Sequence, residues 1–189
     1  WKKKYQIAGE LKDYARFITI GSINITPAKI ALSNTAISIT NRAPVMDLRV
    51  RTIKKRIPTY DGKTIGLTIY EPKELSNITT PVILYLHGGG FMIREAAHHH
   101  KVSRDYAVGA KAKLVFVHYR LAPKHSFPYP VEDCYSALLW VYRNASRLKI
   151  DKERIAVAGD SAGGGLAAAL THMTRDRSGP KICFQMLAN

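Results

Sequence analysis

The sequence predicts an α/β fold in which helices flank a mostly parallel sheet. Three short apolar runs, residues 81–86, 113–118 and 154–158, have the length and composition of strands that are buried on both faces. Segments with helical periodicity separate these runs, and such alternation is typical of a parallel sheet. The chain has 189 residues, which is enough for one domain with a single hydrophobic core.

Residues 1–45 are predicted to be mostly helical. Apolar residues recur there at helical spacing: Ile7, Leu11, Tyr14 and Ile18. Thr26 followed by Pro27 predicts the start of a further helix, because threonine caps a helix N-terminus and proline suits its first turn.

The remaining elements follow in order after residue 48. Residues 50–57 and 64–70 alternate polar with apolar side chains around an Asp-Gly pair, which predicts a β-hairpin. An apolar stripe over 131–145 and an alanine-rich stretch over 162–175 predict two helices. Residues 182–187 begin a further strand.

Composition and charge exclude several classes of protein. The net charge is +15, but the basic residues are scattered and no nucleic-acid-binding module surrounds them, so we expect no nucleic-acid partner. No apolar run is long enough to span a membrane, and no signal-peptide pattern opens the chain, which favours the cytoplasm. The two cysteines, Cys134 and Cys183, are interpreted as small buried hydrophobic residues rather than as a disulfide framework.

The first chemical motif is Gly-Asp-Ser-Ala-Gly at residues 159–163, a G-x-S-x-G pattern between a predicted strand and a predicted helix. In that setting the serine lies on a sharp turn with its hydroxyl exposed, which suits a nucleophile. We therefore predict that Ser161 is catalytic and that the amide of Ala162 donates to an oxyanion. A turn without chemistry is the alternative; a P-loop is disfavoured, since no Lys-Ser/Thr follows the glycines.

The second motif is His-Gly-Gly-Gly-Phe at residues 87–91, directly after the first buried run. Three glycines let the main chain present N–H groups to an anionic oxygen without obstruction. Gly89 and Gly90 are thus predicted to join Ala162 as oxyanion donors, and His87 is predicted to brace the loop. A flexible glycine turn is the alternative.

Three further residues of these motifs, Gly88, Phe91 and Asp160, are predicted to contact the substrate. We expect neither a cofactor nor a metal. The cluster His98-His99-His100 lacks a nearby acid or cysteine to complete a metal site, so a structural or surface role is expected for it.

Together these motifs resemble the hormone-sensitive-lipase-like family of α/β-hydrolase esterases, which includes bacterial carboxylesterases and acetyl esterases. The resemblance spans roughly residues 48–188 and rests on the following segments: 87–91, 119–123, 127–128, 132–133, Asp151 with Arg154, and 159–164. It implies an α/β-hydrolase fold with residues 46–189 as the N-terminal portion of the catalytic domain. It also implies that residues 1–45 form an N-terminal helical cap over the acyl and alcohol pockets, and that Arg120 anchors a loop.

The sequence departs from the family pattern around the predicted oxyanion loop. His118 stands where an Asp is usual, Lys124 where a Glu is usual, and Gly165 where Asn is frequent. Residues 92–95 replace an expected glycine. These changes bear on substrate preference more than on the reaction.

The rest of a catalytic triad is not apparent after Ser161. In α/β-hydrolases the acid and then the histidine follow the serine. Only Asp176 and His172 follow it here, and they share a helix that leads away from the hydroxyl. We therefore expect both partners beyond Asn189. The resemblance implies that the last two strands of the sheet are absent as well, so these 189 residues are expected to be the front part of a longer enzyme and to be inactive alone.

The function predicted from the sequence is that of a serine carboxylesterase. It would hydrolyse small-molecule esters of small to medium acyl length through an acyl-enzyme on Ser161. A non-catalytic, small-molecule-binding member of the same fold is the alternative, and a basic nucleic-acid-associated protein is a third interpretation that rests on charge alone. A homodimer through a sheet edge is left open.

Overall fold

The computed structural model describes residues 26–41 and 47–188. Within these ranges six strands form one sheet in the order β1-β2-β4-β3-β5-β6. The strand bounds are β1 Val50–Pro58, β2 Thr64–Pro72, β3 Thr80–Leu86, β4 Lys113–His118, β5 Ile150–Asp160 and β6 Phe184–Ala188. The helix bounds are α1 Pro27–Thr40, α2 Ala97–Gly109, α3 Tyr129–Arg143, α4 Ala145–Leu148 and α5 Ala162–Asp176, with a 3₁₀ turn at Lys73–Leu75.

The sheet is mostly parallel, which confirms the predicted fold class. Strands β3, β4, β5 and β6 run parallel to one another. Strands β1 and β2 form the predicted hairpin, with Pro58 opposite Thr64, and β2 joins the sheet antiparallel to β4. The carboxyl ends of β3 and β5 therefore lie at the same edge. The glycine-triplet motif follows β3 directly, and the G-x-S-x-G motif begins in the last two residues of β5.

The sheet separates two apolar layers. Helices α3 and α5 pack on one face through side chains such as Leu138, Val141 and Leu170, each of which is completely buried. Helix α2 packs on the other face, where Ala107 meets Phe116 of β4. Because both faces are covered, the central strands consist of apolar runs without alternation, as the sequence indicates.

The N-terminal part of the chain bears out one prediction and leaves another untested. Helix α1 begins where predicted: Thr26 is its N-cap and accepts a hydrogen bond from the Lys29 amide at 3.3 Å. The helical spacing predicted within residues 1–25 lies outside the described residues. That residues 1–45 form a cap over a substrate pocket stays a prediction.

Three details differ from the sequence-based predictions. The helix predicted to reach Ala145 ends at Arg143, and a separate short helix, α4, follows. Strand β6 begins at Phe184, two residues later than predicted. Cys134 is buried as predicted, but Cys183 is exposed, because it lies just before β6 at the edge of the described sheet. None of the helices described here has the length and apolar character needed to cross a membrane.

Candidate active site

Ser161 occupies a strained turn between β5 and α5. Its backbone φ is 49° and ψ is −118°, a conformation that costs a residue other than glycine about 1–3 kcal/mol. Two backbone hydrogen bonds stabilise the turn: the Ser161 amide donates to the Ala188 carbonyl at 2.8 Å, and the Gly165 amide donates to the Ser161 carbonyl at 3.1 Å. The side chain is exposed. The predicted strand-turn-helix setting of G-x-S-x-G is thus confirmed.

Gly163 brings this turn against the glycine-triplet loop. A Cβ atom added at Gly163 would overlap the carbonyl oxygens of Leu86 and His87, at the end of β3. A Cβ atom at Gly159 would overlap the backbone of Gly163 itself. Both glycines of the motif are therefore required by close backbone approach, and this approach places the two predicted motifs side by side.

Asp160 links the two motifs through hydrogen bonds. Its Oδ1 accepts from the Gly88 amide at 3.0 Å and from the Tyr85 hydroxyl at 2.8 Å, and His99 Nε2 lies 3.4 Å from Oδ2. Burial alone would raise the pKa of Asp160, but the bonds from His99, Tyr85 and Gly88 outweigh it and lower the pKa to about 2. Asp160 is therefore an anion that fixes the start of the glycine loop; that Asp160 and Gly88 contact the substrate stays a prediction.

The three predicted oxyanion donors have unoccupied amides. Gly89 and Gly90 have φ values of 123° and 60°, which glycine tolerates. Within residues 26–41 and 47–188, the amides of Gly89, Gly90 and Ala162 donate no hydrogen bond. Ala162 is also the first residue of α5, so its amide lies at the positive end of a 15-residue helix. Phe91 follows at φ 63° and is 41% exposed beside Gly165.

His87 braces the glycine loop from beneath, as predicted. It is completely buried, and its ring stacks on Tyr119 at a centroid distance of 4.4 Å and on Phe116 at 5.7 Å. Its Nδ1 lies 2.6 Å from the Gly88 carbonyl, which can only accept, so the proton is on Nδ1. Burial lowers the pKa of His87 to about 4. The ring is therefore neutral at pH 7, although Glu95 Oε2 lies 3.9 Å from Nε2.

The buried Glu95 and the half-buried His118 form a polar pair that the sequence did not predict. His118 Nδ1 lies 3.0 Å from Glu95 Oε1, and His118 Nε2 lies 2.8 Å from the Thr68 hydroxyl. Burial alone would raise the pKa of Glu95, but the bond and charge of His118 lower it to about 2. The only sequence signal was that His118 departs from the family pattern. Its imidazole now supplies a partner for Glu95.

Arg120 anchors the neighbouring loop, as the resemblance implied. Its guanidinium bonds the buried Asp133 through Nη2 at 2.6 Å and Asp61 through Nη1 at 2.7 Å. It thereby joins the turn of the β1-β2 hairpin to helix α3.

His172 and Asp176 lie along α5 away from the serine hydroxyl, and His99 and His100 hydrogen-bond to neighbouring groups of the fold. His172 follows Ser161 by eleven residues on α5, which places it roughly 16 Å along the helix axis. Asp176 pairs with Arg175 at the far end of that helix. His100 Nδ1 lies 2.7 Å from the Tyr70 hydroxyl, and His99 Nδ1 accepts from the Ala96 amide at 3.0 Å. Among the residues that the structure describes, no group of three potential metal ligands converges.

A cavity of about 660 Å³ lies elsewhere, on the face of β1 and β2 beside α2. Its lining includes Glu95 and His118 but none of the predicted site residues. The chemistry of the two motifs, rather than this cavity, therefore locates the candidate site.

Comparison with known proteins identifies the family of the chain. A family profile described as alpha/beta hydrolase fold matches residues 83–189. "Carboxylesterase NlhH" of Mycobacterium tuberculosis is 45% identical over 136 residues, which cover 71% of this chain and 42% of that relative. A fungal esterase structure from Rhizomucor miehei superposes with a TM-score of 0.80 and 29% identity over 98% of this chain and 58% of the other. EstE1, a thermostable carboxylesterase from a metagenomic library, has a TM-score of 0.76 and 36% identity, covering 88% and 56%.

Proposed function

This chain belongs to the α/β-hydrolase family, and from that premise we propose that the protein is a serine carboxylesterase with Ser161 as its nucleophile. One observation carries the proposal: a strained, exposed serine lies on a turn that packs against the start of the glycine-triplet loop, and the amides of Gly89, Gly90 and Ala162 donate no hydrogen bond among the described residues. The named relatives are esterases, so they do not favour the non-catalytic alternative.

The proposed reaction has two halves. Ser161 Oγ attacks the acyl carbon of the ester, and its proton passes to the leaving alcohol through a general base. Water then attacks the acyl-enzyme and releases the carboxylic acid and the free serine. In each half a tetrahedral oxyanion forms, and the amides of Gly89, Gly90 and Ala162 would donate to it.

The oxyanion donors supply a large share of the catalysis in this proposal. Removal of one such donor typically costs about 3–4 kcal/mol of transition-state stabilisation. The helix dipole of α5 adds to it, because the negative charge would develop at the N-terminus of α5.

The general base and its acid partner are not among the residues that the structure describes, and both are part of the proposal. The family order places an acid and then a histidine after the serine, and we propose that both follow Asn189. The chain covers 42% of the length of NlhH, so the activity proposed is that of the whole protein. No step of this reaction requires a metal or an organic cofactor.

The substrate class proposed is an ester of small to medium acyl length. Hydrolysis of p-nitrophenyl acetate, butyrate and laurate by the intact protein would test both the reaction and the length preference. We expect the two shorter esters to be preferred and Ser161→Ala to lower kcat by about 10⁴-fold or more.

Ser146→Ala is the matched control, since Ser146 is an exposed serine on α4. It should retain wild-type turnover. Treatment with an organophosphate should add one phosphoryl group to Ser161, detectable by mass spectrometry of the peptide. Equal turnover by wild type and Ser161→Ala would refute the proposed mechanism.

A further inference from the structure

Helix α1 is attached to the segment after the glycine triplet chiefly by polar contacts. Ile30 is its only buried residue among those described. Asn41, just after the helix, donates from Nδ2 to the Glu95 carbonyl at 2.7 Å, and Arg94 Nη1 bonds the Ser38 hydroxyl. Since apolar burial is small, these hydrogen bonds determine where α1 sits on residues 92–95.

Asn34 makes the most specific of these contacts. Its Nδ2 donates to the Met92 carbonyl at 2.8 Å, and its Oδ1 accepts from the Arg94 amide at 2.8 Å. A carboxamide carries a donor and an acceptor side by side, so a single side chain satisfies both backbone groups. Asn34 therefore fixes the backbone at two points on either side of Ile93.

The segment held by Asn34 in turn holds the Gly89 carbonyl. This oxygen accepts from the Met92 amide at 3.1 Å and from the Ile93 amide at 2.8 Å. A peptide unit is planar and trans, so the Gly89 carbonyl and the Gly90 N–H of the same unit point in opposite directions. Any restraint on that carbonyl is also a restraint on the Gly90 N–H, whose proposed role is to donate to the oxyanion.

We propose that Asn34 is a positioning residue for the esterase reaction: it orients the Gly90 N–H through Met92, Arg94 and the Gly89 carbonyl. This inference rests on the proposed function. It gives helix α1, which buries only Ile30, a role in stabilising the transition state.

Asn34→Asp separates this role from simple folding. Aspartate has nearly the same shape and keeps the acceptor for the Arg94 amide. It loses the donor to Met92 and instead places a carboxylate oxygen against the Met92 carbonyl. Asn41 and Ser38 keep their contacts with the segment, so α1 is expected to stay docked.

The expected effect is on kcat more than on KM. A displaced donor weakens binding of the transition state, and a misplacement of about 1 Å costs up to about 10²-fold in rate. We expect Asn34→Asp and Asn34→Ala to lower kcat on p-nitrophenyl butyrate by roughly 10- to 100-fold, with KM within about twofold. Phenylboronic acid, which adds to a serine as a tetrahedral anion, should bind more weakly by the same factor.

Thr35→Ala is the control on the same helix. Thr35 is exposed, and the one hydrogen bond of its hydroxyl to residues that the structure describes goes to the Ala31 carbonyl within α1, so kcat and boronate affinity should stay at wild-type values. Thermal unfolding of every variant shows whether a loss of activity is a loss of fold.

The outcomes distinguish this inference from the proposed function. If the wild type hydrolyses the ester and Ser161→Ala does not, the function stands. Wild-type kcat and boronate affinity in Asn34→Asp would then overturn the role of Asn34 alone, as would a loss shared by Thr35→Ala. If Ser161→Ala retains turnover, the function fails and the inference fails with it.

Discussion

At the scale of single residues, two of the three glycines that follow Ser161 on α5, Gly163 and Gly165, have opposite surroundings. Gly163 faces the carbonyl oxygens of Leu86 and His87 with no room for a methyl group. Gly165 is exposed, and a Cβ atom there would lie 3.9 Å from Phe91 Cζ, an ordinary van der Waals contact. Substitution by alanine is therefore expected to have opposite effects on stability at these two positions.

Gly163→Ala should destabilise the protein by about 1–3 kcal/mol, the usual cost of overpacking. It should also push the turn away from β3 and lower kcat. Gly165→Ala should instead stabilise the protein by about 1 kcal/mol, because alanine is the better helix former. Denaturant unfolding of both variants measures the difference, and equal stability would show that the contact of Gly163 with β3 is unimportant.

Residue roles were predictable only where the sequence carried a local pattern. Ser161 and the glycine triplet stand in recognisable motifs, so their setting followed from spacing. Asn34 gave no such signal, because its partners are backbone groups that lie 58 and 60 residues away. His118 was visible as a departure from a family, but its pairing with Glu95 needed the fold to bring β4 against the loop before α2.

At the scale of elements, apolar runs predicted the central strands well because burial on both faces leaves little ambiguity. The limits of α3 and β6 were less predictable. The apolar stripe of α3 continues to Ala145, which is buried in the same core from the next short helix. Periodicity reports which face is buried, and it does not report where the backbone turns at Asn144.

Arg120 connects two elements that are distant in sequence. Its fork bonds both carboxylate oxygens of Asp133 on α3, which is completely buried, while the contact with Asp61 in the hairpin turn is exposed to solvent. Removal of one partner of a buried ion pair leaves the other charge uncompensated, at a cost of about 3–5 kcal/mol. Exposed pairs contribute far less.

Arg120→Ala is therefore expected to lower the free energy of unfolding by about 3–5 kcal/mol, because Asp133 stays buried without its counter-charge. Asp61→Asn should change stability only slightly, since the Asp133 contacts remain. Arg120→Lys keeps the positive charge but loses the planar guanidinium that bonds both oxygens of Asp133. Its free energy of unfolding should lie between those of Arg120→Ala and Asp61→Asn. Equal stability of Arg120→Ala and Asp61→Asn in urea unfolding would contradict this account.

At the scale of the whole molecule, the buried groups behind the glycine loop couple stability to pH. Burial lowers the pKa of His87 from 6.5 to about 4. The pKa of Glu95 is lowered from 4.5 to about 2, since its bond and charge interactions with His118 outweigh burial. In both cases the unfolded chain binds protons more readily than the folded protein, so stability decreases as the pH falls.

The two groups act in successive pH windows. Above pH 6.5 His87 is neutral in both the folded and the unfolded protein. Between pH 6.5 and 4 this imidazole is protonated only in the unfolded chain. The contribution of Glu95 is present above pH 4.5 and is lost as the pH falls through about 2. Stability should therefore begin to fall near pH 6.5, well before carboxylates titrate.

His87→Phe isolates the first window. Phenylalanine can stack between Phe116 and Tyr119 but cannot titrate, so the decrease in unfolding free energy between pH 7 and pH 4 should shrink by on the order of 3 kcal/mol. Part of the slope should remain, because burial also lowers the pKa of His100 to about 4. His98→Gln should reduce the slope less than His87→Phe does, because burial also lowers the pKa of His98 but this side chain is exposed. An unchanged slope in His87→Phe would mean that the buried imidazole is not what makes the fold acid-sensitive. The neutral state of the His87 imidazole beneath the glycine loop would then have a cause other than burial.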